Sequence, residues 1–192
     1  MIITISGNPG SGKSTIAKML AQELKYERIY AGGIMREMAR ERGITLEELM
    51  RQAEKDHKID TEVDNRVRDT ARKYNAAGKN VLVEGRVQFY HLPESIKIYV
   101  RVEELEGAKR IWKDLQDKEA SLARNQKIAN SVEEVVELNR TREETDSQRY
   151  VKLYGVDYRD MKNYDLLVDS TLLKPEEAVQ KIKSYILGQQ NG

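Results

Sequence analysis

The 192-residue chain contains no cysteine and only two histidines, His57 and His91. Without thiols there is no disulfide, no thiolate zinc site and no cysteine nucleophile, and two imidazoles are too few for a histidine-rich metal centre. Charge of one sign is also lacking: 33 Lys plus Arg stand against 32 Asp plus Glu. No net field therefore draws the protein to nucleic acid or to an anionic membrane, and any recognition of phosphate has to be local. No apolar run approaches the roughly 18 residues of a spanning helix, and no basic-then-apolar leader precedes the first strand-like stretch at Ile2. A cytoplasmic protein is expected. Internal repeats and low-complexity linkers are absent too, and the length suits one domain with a substantial core.

What is present begins at once. The apolar stretch Ile2-Ile3-Thr4-Ile5 runs into Gly7-Asn8-Pro9-Gly10-Ser11-Gly12-Lys13-Ser14-Thr15, which fits G-x-x-x-x-G-K-[ST], and a helix-patterned segment follows. This order of strand, glycine-rich loop and helix is the context a phosphate-binding loop requires. Its glycines let backbone N–H groups approach phosphate oxygens, and the helix behind points its positive end at the same place. Lys13 would reach the β and γ phosphates of a nucleotide, Ser14 would hold Mg²⁺ through its hydroxyl, and Thr15 adds a small polar residue to the next turn.

Ile16, Met19, Leu20 and Leu24 recur at helical spacing after the loop. Arg28-Ile29-Tyr30 reads as a short strand ending in the breaker Ala31-Gly32-Gly33, beyond which Met35, Met38 and Ala39 open a second helical pattern carrying Arg36. Thr45 with Glu48 forms a capping-box signal for a further helix, and a third covers about 60–74. There Asp60 and Asp64, four apart, read first as a solvated face and second as groups that could touch a bound nucleoside. Val81-Leu82-Val83 is an unbroken apolar run, as in a strand buried on both faces, and exits into Glu84-Gly85-Arg86. Two more strands are expected over Ile96–Val102 and Leu166–Val168, with Pro175 opening a last helix. Strands alternating with helices predict an α/β fold, a three-layer α/β/α arrangement on a five-stranded parallel sheet with ligands at the strands' carboxyl ends. The charged segment 104–158 should be a helical pair with a cap at Ser131. On its second helix Arg142, Asp146 and Arg149 sit four and three apart, so one face presents two guanidinium groups around a carboxylate, able to grip phosphates and a sugar.

Phosphoryl transfer needs in-line positioning and charge neutralisation more than covalent help, and arginines with Mg²⁺ supply both. No guanine-reading Asn-Lys-x-Asp run is present, which argues against a GTPase switch, and the chain is short for a motor or AAA-type ATPase. A compact small-molecule kinase fits. The residues Gly7–Thr15, Ala31–Ala39, Val83–Arg86, Arg142–Tyr150, Leu153–Asp157 and Tyr164–Thr171 together resemble the nucleoside monophosphate kinases and, within them, the cytidylate kinases of the short archaeal type.

The resemblance implies a single P-loop kinase domain over 1–192. Its core spans about 1–34, 79–103 and 160–192, with an acceptor-binding helical segment about 34–78 and a helical lid about 104–158. It implies transfer of the γ-phosphoryl of ATP, with Mg²⁺, to CMP or dCMP by a monomer whose partners are these nucleotides. Lys13, Arg110, Arg142 and Arg149 are the implied catalytic residues, and Gly7 to Thr15 the ATP-binding ones. Arg36, Arg86, Asp146 and Arg149 would hold the acceptor, Asp146 through its ribose, and Ser14 the metal. Glu84 would lie near metal or acceptor, Arg124 is a weaker lid arginine, and Gly32-Gly33 with the lid ends would serve as hinges. His57 and His91 receive no role. The span from Arg36 to Val81 is too short for the full insertion with which the larger bacterial members read cytosine, so the base-reading residues are not identified. A kinase of another monophosphate such as UMP or AMP, or of a small metabolite, and a regulatory ATP-binding module are the alternatives.

Overall fold

A computed structural model describes residues 1–116 and 129–190; Arg124 lies outside them. Five strands, β1 (Ile2–Gly7), β2 (Glu27–Tyr30), β3 (Val81–Glu84), β4 (Ile96–Arg101) and β5 (Leu166–Asp169), form one sheet in the order β2-β3-β1-β4-β5. Every pairing is parallel. The central β1 is flanked by β3 and β4, so both its edges are hydrogen-bonded and all of its residues are buried. That is why isoleucines stand on both of its faces, and its polar Thr4 and Ser6 are buried with hydrogen-bond partners at Ser95 and at the Gly85 and Arg86 carbonyls.

Side chains alternate across the sheet into two cores. Ile3, Ile5, Leu82, Ile98 and Val100 pack against α1 (Lys13–Leu24) and α8 (Pro175–Gln190) through Ile16, Leu20, Val179, Ile182 and Ile186. Ile2, Ile29, Val81 and Val83 face the other way, onto α2 (Ala31–Glu41), α3 (Leu46–Lys55) and α4 (His57–Ala76), whose Met38, Leu49, Val63 and Val67 complete that core. The result is the expected three-layer α/β/α fold. Thr45 caps α3 by accepting from the Glu48 N–H. The expected breaker at Ala31-Gly32-Gly33 is not one: β2 passes directly into α2, and these residues are its first turn. Gly33 is glycine because of a neighbour, since a Cβ there would lie 2.7 Å from the Tyr30 ring.

The charged 104–158 stretch contributes α6 (Glu104–Gln116) and α7 (Val132–Tyr154), the latter capped by Ser131. Ala108, Ile111 and Val135 give this pair a small core of its own, and Arg140 forks onto Glu104 at 2.5 and 2.7 Å. The far end of α7 is anchored differently. Tyr150, Tyr154 and Tyr158 join Tyr99, Tyr164, Val87 and Phe89 in an aromatic cluster beside β4 and the short α5 (Gln88–His91). Among the described residues no helix is long and apolar enough to cross a membrane.

One contact ties α6 to the glycine-rich loop. Gly10 has a φ of +77°, and a Cβ at Gly107 would fall 2.7 Å from the Pro9 carbonyl and 2.8 Å from a Val102 methyl. Gly107→Ala should therefore cost about 1–3 kcal/mol in urea unfolding. Gly188→Ala, on α8 with nothing within 4 Å of its Cβ position, should be neutral or stabilising. Equal tolerance of the two substitutions would show that the approach of helix to loop is not tight.

Candidate active site

The site forms where β1 and β3 end. After Gly7 the chain turns through Gly10 and Gly12, both at positive φ, so that α1 starts at Lys13. Asn8 is clasped to the end of β4: its amide donates to the Val102 carbonyl and accepts from the Val102 N–H, each at 2.9 Å. Its side chain is thus committed to holding the loop, leaving its backbone for any ligand. Ser11 is buried, and its carbonyl accepts from the Ser170 hydroxyl at 2.9 Å, which fastens the loop to the segment after β5.

Glu84, the last residue of β3, organises the loop's chemistry. It is 5% exposed. One carboxylate oxygen accepts from Lys13 Nζ at 2.9 Å and, through a very short contact, from the Ser14 hydroxyl; the other accepts from Arg28 at 2.5 Å. Burial alone would raise its pKa, but Lys13, Ser14 and Arg28 outweigh burial and bring it down to about 2. Ser14 and Glu84 together present oxygens only, the hard donors that suit Mg²⁺. No group of three or more carboxylate or imidazole side chains among the described residues could hold a metal by itself.

Two residues on, Arg86 reaches the opposite wall and pairs with Asp146 on α7. The predicted helical face is assembled: Arg149 lies 2.8 Å from Asp146 and Arg142 3.9 Å, so one carboxylate serves three guanidinium groups. Ser6 steadies the bridge between the two halves by donating to the Gly85 and Arg86 carbonyls at 2.9 and 3.1 Å. Arg36 is on the first turns of α2, where it donates to the Tyr30 hydroxyl at 2.9 Å and the Gly32 carbonyl at 3.3 Å. Among the described residues, no contact of Arg110 brings it to this cluster. Its guanidinium binds the Ser170 and Thr171 carbonyls at 3.0 and 2.9 Å.

Asp60 and Asp64 correct the sequence reading. Rather than a solvated face they are 9% and 5% exposed, because α7 and α5 cover that side of α4. Arg149 approaches Asp60 at 3.6 Å. Asp64 accepts from Gln88 at 2.9 Å and from the Tyr154 hydroxyl at 2.8 Å, with His91 3.4 Å away. Burial raises the pKa of Asp60, Arg149 opposes that, and the charge of Asp64 adds to it. The alternation of polar residues carried no sign of this. Arg28 reads in the sequence only as a strand residue, and Gly107 belongs to no motif, so nothing local marks the contact of either with the loop.

Comparison with known proteins places these features in context. The model of the cytidylate kinase-like family matches residues 2–172. A cytidylate kinase of Ignicoccus hospitalis is 37% identical over 188 residues, covering 97% of this chain and 99% of its own. Those of Sulfurisphaera tokodaii and Pyrococcus furiosus are 34% and 35% identical, with 97% of this chain and 95% and 88% of theirs covered. Among solved structures, an uncharacterised protein of Eubacterium ventriosum superposes with a TM-score of 0.69 at 18% identity, covering 97% of this chain and 98% of that one. A shikimate kinase of Bacteroides thetaiotaomicron does so at 0.63 and 14%, with the same coverage. At such identities these two speak for the fold alone.

The folded pKa of Glu84 lies below the ordinary 4.5, so its ionised form stabilises the fold fully above about pH 4.5, and the contribution is lost as pH falls towards 2. Glu84→Gln should lower stability at pH 7 by about 1–3 kcal/mol, and the gap to wild type should close between pH 4.5 and 2. Urea titrations across that range check this; a gap independent of pH would mean Lys13 and Arg28 do not hold the carboxylate ionised.

Proposed function

Because this chain belongs to the cytidylate kinase-like family, we propose that it transfers the γ-phosphoryl of ATP to CMP or dCMP, releasing ADP and CDP or dCDP. The observation that carries this reading is the carboxyl end of β3. Within three residues it meets the phosphate-loop lysine through Glu84 and the arginine-carboxylate face of α7 through Arg86. A donor triphosphate on the loop and an acceptor monophosphate among the arginines would then meet in one cleft.

In this reading the backbone from Gly7 to Thr15 wraps the ATP phosphates, and Lys13 leaves Glu84 to neutralise the β and γ groups. Ser14, with Glu84 beside it, would hold Mg²⁺. That ion, when bound, draws charge off the phosphate oxygens. Arg142 and Arg149 take up charge on the transferring group. Arg86 and Arg36 bind the acceptor phosphate, for which a planar guanidinium fork is suited. Arg36 has to turn from Tyr30 to do so. Asp146 accepts from the ribose hydroxyls. Arg110, held on the carbonyls of Ser170 and Thr171, positions the segment that Ser170 ties to the loop. The sheet with 1–34, 79–103 and 160–192 serves as the core. Segments 34–78 and 104–158 serve as acceptor-binding and lid parts, whose closure keeps water from the γ-phosphoryl. One copy supplies every group named, which supports a monomer, and nucleotide substrates such as ATP and CMP fit an enzyme of the cytoplasm.

Turnover of ATP with Mg²⁺ and CMP, dCMP, UMP, AMP or GMP, beside a control without acceptor, is the direct test. CMP and dCMP should dominate. Binding of ATP with no acceptor-dependent turnover would replace the kinase by a regulatory nucleotide-binding module, and preference for another acceptor would move the specificity. Arg149→Ala should lower kcat/KM on the order of a hundredfold, and a loss under twofold would remove it from the chemistry. Lys13→Ala should abolish transfer with the fold retained, since Arg28 and Ser14 still satisfy Glu84.

A further inference from the structure

Beside the arginine face, two buried acceptor oxygens find no hydrogen-bond donor among the described residues: Asp60 Oδ2 and Gln88 Oε1. Their residues are 9% and 1% exposed. The Gln88 amide is oriented by its neighbour, because Nε2 donates to Asp64 at 2.9 Å, which leaves Oε1 as an acceptor only. Asp64 is in turn fixed by the Tyr154 hydroxyl. Gln88 also folds back over the turn between Glu84 and Arg86, where its Cγ is 2.5 Å from the place a Gly85 Cβ would occupy. Asp60 is 3.6 Å from Arg149 Nε, itself without a hydrogen bond, and Arg149 holds Asp146. Asp60 is thus linked through Arg149 to the carboxylate assigned to the ribose, and Gln88 lies between Asp64, one turn from Asp60 on α4, and the turn that carries Arg86.

Buried acceptors left without donors are costly, so such a pair calls for a ligand that donates. Resting on the kinase reading above, we infer that Asp60 and Gln88 read the base of the acceptor nucleotide by accepting hydrogen bonds from the exocyclic amino group of an aminopyrimidine. Cytosine offers two N–H at that position. Uracil offers a carbonyl oxygen, which would face two acceptors and bring no proton; rejection by mismatched polar groups is a stronger filter than shape. Asp64 is a positioning residue here, since it turns the Gln88 amide so that its oxygen is the available end.

The test compares kcat/KM for CMP, UMP and the ribonucleotide of pyrimidin-2-one, which lacks the amino group, in wild type, Asp60→Asn and Asp60→Ala. Wild type should favour CMP over the amino-less nucleotide by about tenfold to a hundredfold, the range of one hydrogen bond to a charged group. Asp60→Ala should shrink that ratio at least tenfold by slowing CMP alone, and Asp60→Asn, which keeps a neutral acceptor, should fall between. Should the alanine variant not fold, the asparagine variant decides. General damage to the site would lower both nucleotides together. An unchanged ratio in the folded variants would overturn the inference while leaving the kinase reading intact, whereas a wild type that turns over no CMP would overturn the reading beneath it.

Discussion

The cleft depends on one buried carboxylate. Glu84 sits at the end of a strand enclosed on both faces, and an ionised group there is tolerated only if cations and donors saturate it. Lys13, Ser14 and Arg28 do so from two different elements. Satisfying Glu84 therefore joins the start of α1 and the edge strand β2 to β3, and the geometry of the loop follows. Replacing this ion pair with apolar side chains could be as stable, as for buried pairs generally, but would remove the charges on which the proposed transfer relies.

The same logic repeats on the far wall with the signs exchanged. There Asp146 is the anion that Arg86, Arg142 and Arg149 share, with Asp60 3.6 Å from Arg149 on its other side. It holds them close enough to share a ligand without neutralising them, so the cluster keeps a surplus of positive charge. Glu84 and Arg86 are separated only by Gly85, whose carbonyl Ser6 holds, so both walls are registered to β1 through a few bonds. A phosphoryl group passing between two nucleotides needs such fixed alignment more than it needs a reactive side chain.

Much of this was legible in the sequence because its signals are local. The loop from Gly7 to Thr15 and its flanking strand and helix lie within two dozen residues, and the spacing of Arg142, Asp146 and Arg149 is a property of one helix. What escaped depends on distant neighbours. Asp60 and Asp64 look like any polar helical pair until α5 and α7 cover them, and Gly107 is unremarkable until Pro9 comes within reach of it. The Ala31-Gly32-Gly33 run has the composition of a turn, yet its glycine serves the Tyr30 ring inside a helix. Composition cannot separate room for a neighbour from room for a bend.

The aromatic cluster at the end of α7 has a mechanical meaning. With Tyr150, Tyr154 and Tyr158 set into it, that end is held, and the helix runs about 33 Å from it to Val132 at 1.5 Å per residue. Arg149 lies only about 8 Å from the held end and the Val132 tip at the full length. A tilt of about 10° would sweep the tip through about 6 Å while carrying Arg149 little more than about 1 Å. Any tilt about the aromatic end, with α6 carried along, would thus reach the guanidinium groups of the proposed acceptor site only as a fine adjustment.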